Sequence, residues 1–146
     1  MKVSDIMTRD VRLLSPDQTI REAASLMADI DAGAVPVGEN DRLVGMITDR
    51  DIVVRAVAQG KSADTKVADV MSKEMLYCFD TDDIDAVARN MGKAQVRRLP
   101  VINKDKRLVG IISLGDLARK DDATTIGETV TRVSTPGGKH DQTSAH

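Results

Sequence analysis

Two short stretches of the chain combine a hydroxyl side chain with a carboxylate three residues later. The first is Gly45-Met46-Ile47-Thr48-Asp49-Arg50-Asp51 and the second is Gly110-Ile111-Ile112-Ser113-Leu114-Gly115-Asp116. Each follows an apolar run of strand character, so the hydroxyl and the acid are expected where a strand passes into a helix. Backbone N–H groups at such a point favour phosphate oxygens, and a carboxylate there can accept hydrogen bonds from ribose hydroxyls. The two stretches are therefore candidate nucleotide sites.

The same spacing also has a purely structural interpretation. In a capping box, the hydroxyl oxygen of Thr48 or Ser113 accepts a hydrogen bond from the third backbone N–H of the helix. The acid, Asp51 or Asp116, accepts one in return from the backbone of the hydroxyl residue. Such a cap needs no ligand. Its occurrence twice, at matching places in a duplicated chain, shifts the balance toward a binding site.

A duplication organises the chain around these stretches. The segment Val3-Ser4-Asp5-Ile6-Met7-Thr8 returns as Val67-Ala68-Asp69-Val70-Met71-Ser72, an offset of 64 residues. The offset continues until Leu43 and Leu108, from which it is 65. One residue inserted into the preceding turn accounts for the change, so the chain contains two copies of one unit.

Each copy predicts the element order β-α-β-β-α, an α+β fold. In the first copy the strands are 11–14, 34–37 and 43–47, and the helices run from Ser15 to Gly33 and from Asp49 to about Ala58; in the second the strands are 75–79, 96–102 and 107–112, and the helices are 82–92 and 114–120. Residues 1–62 and 63–120 form the two repeats, and the polar segment 121–146 is expected to be a mobile tail. A copy of roughly 60 residues buries too little surface to be stable alone. We therefore expect the repeats to share one aliphatic core about a pseudo-twofold axis.

The composition excludes several classes of protein. A net charge of −2, no Trp, one Tyr and one Phe leave no general attraction to nucleic acid and few base-stacking surfaces. No apolar run reaches membrane-spanning length and no signal peptide is evident, so the cytoplasm is the expected location. The single cysteine, Cys78, excludes an intrachain disulfide and a cysteine-based zinc cluster. His140 and His146 lie in the tail, so neither a catalytic nor a metal site is expected.

In combination, these motifs resemble a known family. The β-α-β-β-α repeat opened by D-[IV]-M-[TS], continued by an apolar-Pro-Val strand and closed by G-x-x-[TS]-x-x-D is similar to the cystathionine-β-synthase (CBS) domain. Residues 1–120 resemble two such domains in tandem. The resemblance implies a disc-like regulatory module with two clefts between its repeats. It also implies that the clefts bind adenosine compounds such as AMP, ADP, ATP, NAD or S-adenosylmethionine, and that two modules associate as a homodimer.

The resemblance assigns roles to the candidate residues. Asp51 and Asp116 would accept hydrogen bonds from the ribose hydroxyls, and Thr48 and Ser113 would bond ribose or phosphate. Backbone groups of the apolar-Pro-Val strands would read the edge of the adenine, and the strand residues concerned are Val35, Pro36 and Val37 in one copy and Leu99, Pro100 and Val101 in the other. The prolines are equally compatible with ordinary edge-strand positions.

Basic residues before the second apolar-Pro-Val strand distinguish the two copies. Arg97 and Arg98 lie where the family often directs positive charge at phosphates, although a solvated strand end would explain them as well. The equivalent positions in the first copy are Gly33 and Ala34. We therefore expect the second cleft to prefer highly charged nucleotides. The first cleft is expected to suit adenosine, AMP or a dinucleotide.

Three functions compete for this sequence. The first is a regulatory module that binds adenine nucleotides without chemistry of its own and acts on a separate effector protein. The second is an enzyme, which is disfavoured because residues 1–120 contain no His, no P-loop and no G-x-G-x-x-G motif. The third is a ligand-free interaction or stress protein, since capping alone would retain both motifs.

Two predicted helices carry apolar residues beyond what one small module can easily cover. These residues are Ala23, Ala24 and Met27 in the first copy and Val87, Ala88 and Met91 in the second. We expect them to form isologous contacts in the homodimer.

Overall fold

The computed structural model describes residues 1–119, and the predicted tail at 121–146 lies outside the described residues. The chain forms two compact units. The Thr48 unit consists of Arg12–Met75 and Lys106–Leu108, and the Ser113 unit consists of Met1–Val11, Leu76–Asp105 and the described residues 109–119. Each unit thus combines the helices and strands of one repeat with the short leading segment of the other.

The Thr48 unit places a hairpin between two helices. Its elements are α1 (Ile20–Ile30), β1 (Ala34–Glu39), β2 (Arg42–Thr48) and α2 (Asp49–Asp51), which continues as a π-helical stretch at Ile52–Val57. β1 and β2 are antiparallel, and Asn40 and Asp41 turn the chain between them with φ angles of 53° and 64°. Asn and Asp adopt this left-handed region more readily than other non-glycine residues. The predicted strand at 11–14 is reduced to one parallel bridge between Leu14 and Val37.

The first helix begins later than the sequence predicted. Thr19 caps it, because the Glu22 N–H donates to Thr19 Oγ1 at 3.2 Å and the Thr19 N–H donates to Glu22 Oε1 at 3.4 Å. Ser15 instead opens a turn, in which its carbonyl accepts a backbone N–H three residues on at 3.1 Å. The helix ends at Asp31, whose φ is 52°, and not at Gly33. A local turn at the hydroxyl residue has therefore replaced the first predicted helical turn.

The Ser113 unit repeats the same order of elements. They are β3 (Cys78–Phe79), α3 (Ile84–Ala94), β4 (Arg98–Ile102), β5 (Leu108–Ser113) and α4 (Leu114–Ala118), with a sheet in the order β3-β4-β5. β3 is shorter than the predicted strand at 75–79. Cys78 pairs in parallel with Val101, as Leu14 does with Val37 in the Thr48 unit. The predicted α+β fold of two β-α-β-β-α repeats is confirmed.

The buried apolar residues form two clusters rather than the single shared core that we expected. The cluster of the Thr48 unit consists of Leu14, Ile20, Ala23, Met27, Val35, Val37, Ile47, Ala56, Val67 and Val70. The cluster of the Ser113 unit consists of Val3, Met7, Cys78, Ile84, Val87, Ala88, Met91, Leu99, Val101, Ile112 and Leu117. Val67 and Val70 belong to the leading segment of the second repeat, whereas Val3 and Met7 belong to that of the first. These exchanged segments supply the apolar area that one small repeat lacks.

The apolar helix residues predicted to form a dimer contact lie mostly inside these clusters. The residues at most 8% exposed are Ala23, Met27, Val87, Ala88 and Met91, and Ala24 alone of the six is exposed. The prediction that they form a dimer surface is wrong. The physical reason is that α1 and α3 turn their apolar stripes toward the core of their own unit.

A short antiparallel pairing joins each leading segment to a strand. Thr8 and Ile111 of β5 exchange backbone hydrogen bonds of 2.9 Å. Ser72 and Met46 of β2 exchange backbone hydrogen bonds of 2.8 and 3.0 Å. Thr8 and Ser72 are the last residues of the repeated D-[IV]-M-[TS] motif. The motif therefore ends on the residue that pairs with the strand.

Glycine permits this close approach. A Cβ atom on Gly110 would lie 2.6 Å from Met7 Sδ and 2.9 Å from the carbonyl oxygen of Thr8. At Gly45 the corresponding distances, to the equivalent methionine sulfur and serine carbonyl oxygen, are both 2.8 Å. A methionine side chain can move aside, but a backbone carbonyl held in a strand pairing cannot. The first glycine of each G-x-x-[TS]-x-x-D motif therefore has a packing role.

Cys78 is buried at 4% exposure in the core of the Ser113 unit. Burial raises the pKa of its thiol to about 12, and the carboxylates of Asp82 and Asp80 add to the increase. Because the thiolate is the reactive form, the thiol is inert in the folded protein.

The substitution Gly110→Ala should lower the free energy of unfolding by about 1–3 kcal/mol, since the added methyl group displaces the paired backbone. Gly45→Ala should act alike. Gly115→Ala is the control, because its Cβ would lie 3.6 Å from Ser113 Oγ inside α4, where alanine is favourable. Urea unfolding measures all three variants. An equal loss in Gly115→Ala would contradict the packing role of the two motif glycines.

Folded protein at pH 8 should react with a disulfide reagent far more slowly than protein in denaturant, because Cys78 is buried and protonated. The folded state also holds the thiol proton more tightly than the unfolded state. Its contribution to stability is complete below the ordinary pKa of 9.0 and is lost as the pH rises through about 12. The unfolding free energy should therefore fall more steeply above pH 9 than in Cys78→Ala. Parallel profiles for the two proteins would contradict this expectation.

Candidate functional site

Both predicted capping boxes are formed. In the Thr48 unit, the Asp51 N–H donates to Thr48 Oγ1 at 3.0 Å and the Thr48 N–H donates to Asp51 Oδ2 at 2.9 Å. In the Ser113 unit, the Asp116 N–H donates to Ser113 Oγ at 3.2 Å and the Ser113 N–H donates to Asp116 Oδ2 at 2.9 Å. The structural interpretation of the motif is therefore realised at both turns. The capping box engages only one oxygen of each carboxylate, Oδ2.

The second carboxylate oxygen faces an arginine on the following helical turn. Asp116 Oδ1 lies 2.8 Å from Arg119 Nη2, and the Arg119 Nε–H donates to the Gly115 carbonyl oxygen at 3.3 Å. The Asp116 side chain is 7% exposed and that of Arg119 is 73% exposed. The cation can therefore move away into solvent while the carboxylate keeps its position.

The Thr48 unit has a looser version of the same pair. Asp51 Oδ1 lies 4.0 Å from Arg55 Nε, and the Asp51 side chain is 20% exposed. Arg55 Nη1 also donates to the carbonyl oxygens of Val70 and Met71 at 3.3 and 3.4 Å. Arg55 thus fixes the leading segment of the second repeat, which leaves the Asp51 oxygen more weakly compensated than that of Asp116.

Neither arginine was among the site residues predicted from the sequence. Arg119 follows Asp116 by three residues, and Arg55 follows Asp51 by four. These are the spacings at which side chains meet on one face of a helix. An acid with an arginine at either spacing was therefore the signal that could have found them.

The central strand is β4 in the Ser113 unit and β1 in the Thr48 unit, where β1 lies between the Leu14 bridge and β2. A backbone hydrogen bond brings the residue before each central strand to the start of the helix. The Leu114 N–H donates to the Arg97 carbonyl oxygen at 3.0 Å, and the Asp49 N–H donates to the Gly33 carbonyl oxygen at 2.9 Å. Arg97 and Arg98 are both exposed. The Ser113 unit thus brings Arg97 to the same turn as its hydroxyl and its acid. The Thr48 unit brings Gly33 to the equivalent place.

The strand residues predicted to line an adenine slot are buried. Val35 is 0% exposed and Leu99 is 5% exposed, and both side chains belong to the core of their unit. Pro36 and Pro100 are buried as well. The Val35 and Leu99 side chains are therefore unavailable to a ligand, and any contact of these two residues with a base must use their backbone groups.

The hairpin register places the first set of strand residues beside the hydroxyl. Ala34 pairs with Thr48, Val35 with Ile47 and Pro36 with Met46. The Pro36 carbonyl oxygen accepts the Leu14 N–H at 3.1 Å, so this group is already engaged. Strand β1 thus runs directly away from the hydroxyl.

The part of the chain that the structure describes carries no metal cluster and no membrane span. Residues 1–119 contain no group of three or more His, Cys, Asp or Glu side chains that could hold a metal ion. Within the same range, no helix has both the length and the apolar character needed to cross a bilayer.

Sequence comparison finds relatives of similar length and a larger enzyme that contains a similar segment. The family model described as the CBS domain matches residues 3–57 and 67–122. The CBS domain-containing protein YhcV of Bacillus subtilis is 43% identical over 133 residues, which cover 90% of this chain and 94% of that protein. Inosine-5'-monophosphate dehydrogenase of Methanocaldococcus jannaschii is 34% identical over 120 residues, which cover 82% of this chain but only 23% of that enzyme.

Solved structures show the same fold. Hypoxic Response Protein I, solved with two coordinated zinc ions, has a TM-score of 0.72 and 36% identity, covering 82% of this chain and 98% of its own. CBSX2, solved in complex with AMP, has a TM-score of 0.71 and 26% identity, and the match covers 81% of this chain and 93% of that one.

A third neighbour is the CBS domain pair of MJ0100, solved in complex with 5'-methylthioadenosine and S-adenosyl-L-methionine. It has a TM-score of 0.69 and 27% identity, and the match covers 82% of this chain and 94% of that one. The repeated motifs, the repeated fold and these matches agree. The chain belongs to the CBS-domain family and carries two CBS domains.

Proposed function

We propose that this protein is a non-catalytic regulatory module that binds adenine nucleotides at its two strand–helix turns. The ligand is AMP, ADP, ATP or NAD. The observation that carries the proposal is the geometry of the two acids. Asp51 and Asp116 are each held by a capping bond to Oδ2, while Oδ1 faces only a partly or largely exposed arginine. A fixed carboxylate whose second oxygen contacts only such an arginine can exchange that contact for hydrogen bonds from adjacent ribose hydroxyls.

The surrounding residues complete the proposed contacts. Thr48 and Ser113 supply hydroxyl oxygens beside the acids, within the capping distances already formed. Backbone groups of Val35, Leu99 and Pro100 read the base, since the Val35 and Leu99 side chains are buried and the Pro36 carbonyl oxygen is engaged by Leu14. In the Ser113 unit, the exposed Arg97 and Arg98 bind phosphate oxygens in paired hydrogen bonds. The AMP complex of CBSX2 and the MJ0100 complexes support an adenosine ligand.

In the proposed function, neither turn carries out a chemical reaction. Each acid is committed to a cap, and each hydroxyl oxygen accepts a backbone N–H. The thiol of Cys78 is buried and protonated. The match to inosine-5'-monophosphate dehydrogenase covers 23% of that enzyme, which supports a role for these domains as an accessory module. The module regulates a separate effector protein, whose identity the chain does not specify.

We also propose that the protein works as a homodimer, although not through the helix faces first expected. The apolar side chains exposed on one helix of the Thr48 unit are better candidates. Val53, Val54 and Val57 are 57%, 42% and 65% exposed on the π-helical stretch that follows α2. Neighbouring apolar side chains exposed on one helix favour a protein contact.

One observation favours a second candidate function. Both capping boxes are complete and both acids face an arginine, so the side chains of each motif already satisfy one another. A ligand-free interaction or stress protein that acts through protein–protein contacts would retain the same residues for stability alone. The two functions differ in what happens when the acid is removed.

Asp116→Ala should weaken AMP or ATP binding by about ten- to a hundredfold, because charge-assisted hydrogen bonds contribute about 1.5–3 kcal/mol. It should lower the unfolding free energy by only ~1 kcal/mol, the effect of losing a cap. Glu22→Ala is the matched control, since Glu22 closes an equivalent capping box with Thr19 at the start of α1. Isothermal titration and thermal melting measure both quantities.

The control separates the two candidate functions. Glu22→Ala should lose similar stability and keep its nucleotide affinity. If Asp116→Ala behaves like Glu22→Ala, with a lower melting temperature and unchanged affinity, the acid serves only as a cap. If no adenine compound binds the unmutated protein, the ligand-free function is correct.

Replacing both Arg97 and Arg98 by Ala should remove most of the thermal shift that ATP produces and less of any shift that adenosine produces. The reason is that guanidinium groups bind phosphate oxygens and adenosine has none. A ligand at ~100 times its dissociation constant adds about 2.7 kcal/mol, which at this size raises the melting temperature by roughly 5–10 °C. Differential scanning fluorimetry measures the shifts. Equal loss with both ligands would mean that the arginines support the structure and do not bind phosphate.

A further inference from the structure

The two turns share their backbone geometry. At each, the first N–H of the helix donates to the carbonyl oxygen of the residue that precedes the central strand, at 2.9 Å between Asp49 and Gly33 and at 3.0 Å between Leu114 and Arg97. Gly33 is therefore the structural counterpart of Arg97, and Asp49 is the counterpart of Leu114. The backbone equivalence allows a direct comparison of the side chains at these positions.

The side chains at this pair of positions carry opposite charges in the two units. In the Ser113 unit the strand position carries a cation, Arg97, and the helix position carries the apolar Leu114. In the Thr48 unit the strand position has no side chain and the helix position carries Asp49. A Cβ atom on Gly33 would lie 3.0 Å from Asp49 Oδ2 and 3.4 Å from Asp49 Oδ1. The carboxylate thus covers the space in which a side chain at residue 33 would begin.

The charge of Asp49 is poorly compensated. Its Oδ1 accepts the Arg50 backbone N–H at 2.8 Å, and its side chain lies on an exposed residue. Among residues 1–119, no lysine or arginine forms an ion pair with Asp49. Asp51, two residues on, is the proposed ribose acceptor, so a ligand there would have a second carboxylate beside it. This arrangement repels anions and attracts cations.

We propose that Asp49, lying over Gly33, is the residue that determines which adenosine derivatives the Thr48 turn accepts. It disfavours phosphorylated compounds relative to those that are neutral or positively charged. The inference rests on the proposed function and extends it. When Asp51 binds the ribose hydroxyls, the 5'-phosphate on the same ribose must lie close to this turn. It is therefore repelled by the carboxylate of Asp49. The Ser113 turn, with Arg97 in the equivalent place, takes the phosphorylated ligands.

Titration of three compounds into the 146-residue protein tests this inference. Adenosine is neutral, AMP is anionic, and S-adenosylmethionine carries a sulfonium cation. Asp116→Ala serves as the background, so that binding at the Thr48 turn dominates the signal. Asp49→Asn removes the charge at nearly constant shape, and Asp49→Lys reverses it. The matched control is Glu39→Gln, which removes one carboxylate from the opposite end of the same hairpin, where Glu39 pairs with Arg42.

Asp49→Asn should strengthen AMP binding about threefold or more, weaken S-adenosylmethionine by a similar factor and leave adenosine within about twofold, as expected for one near-surface charge. Asp49→Lys should strengthen AMP binding further and weaken S-adenosylmethionine binding further. Glu39→Gln should change none of the three affinities by more than about twofold. The variants at Asp49 and Glu39 all alter an exposed side chain, so thermal melting should show that they remain folded.

The outcomes distinguish this inference from the proposed function. If the compounds bind but Asp49→Asn and Asp49→Lys change AMP and S-adenosylmethionine by the same factor, or change neither, Asp49 does not select by charge and the inference is wrong. If Glu39→Gln gives the same pattern as Asp49→Asn, the effect reflects the net charge of the protein, and the inference is again wrong. If none of the three compounds binds even the unmutated protein, the proposed function itself fails.

Discussion

The backbone pairing between each leading segment and a strand from the other repeat is the contact on which both units depend. Thr8 pairs with Ile111 and Ser72 pairs with Met46, and each pairing requires a glycine one residue before the strand partner. The pairing has two consequences. It brings apolar residues of the leading segment into the core, as with Val67 and Val70. It also fixes the strand two residues before the hydroxyl that caps the next helix. The candidate sites are therefore positioned by the same contact that completes each core.

Stability and proposed binding use the same side chains at these turns. Oδ2 of each acid closes the cap, and Oδ1 faces an arginine. A ligand that takes Oδ1 competes with a partly or largely exposed cation and leaves the cap intact, so the turn does not need to rearrange. This division explains why a capping motif can also serve as a binding motif. It also explains why loss of the acid alone cannot identify its function without a control cap such as that of Thr19 and Glu22.

The two repeats form turns with one backbone geometry and different side chains. Arg97 and Leu114 in one unit correspond to Gly33 and Asp49 in the other. The backbone hydrogen bonds are almost equal in length, so the difference between the turns lies in the charge and size of their side chains. A module with two unlike turns can respond to two adenosine derivatives, or to the ratio between them. A module with two identical turns responds to one ligand.

The sequence by itself determined the features that arise from local spacing. The repeat was visible from matching segments 64 or 65 residues apart, and the order of elements from the local apolar pattern. Both capping boxes depend on residues three apart, and the acid–arginine pairs at Asp116 and Asp51 were readable from residues three or four apart. Only the tertiary structure decided the contacts between distant residues. It gave each unit the leading segment of the other repeat, placed Asp49 over Gly33, and turned the apolar stripes of α1 and α3 into the cores. Residue spacing could not reveal these contacts, because which distant segments meet depends on the path of the whole chain. That path is set by where enough apolar surface can be buried.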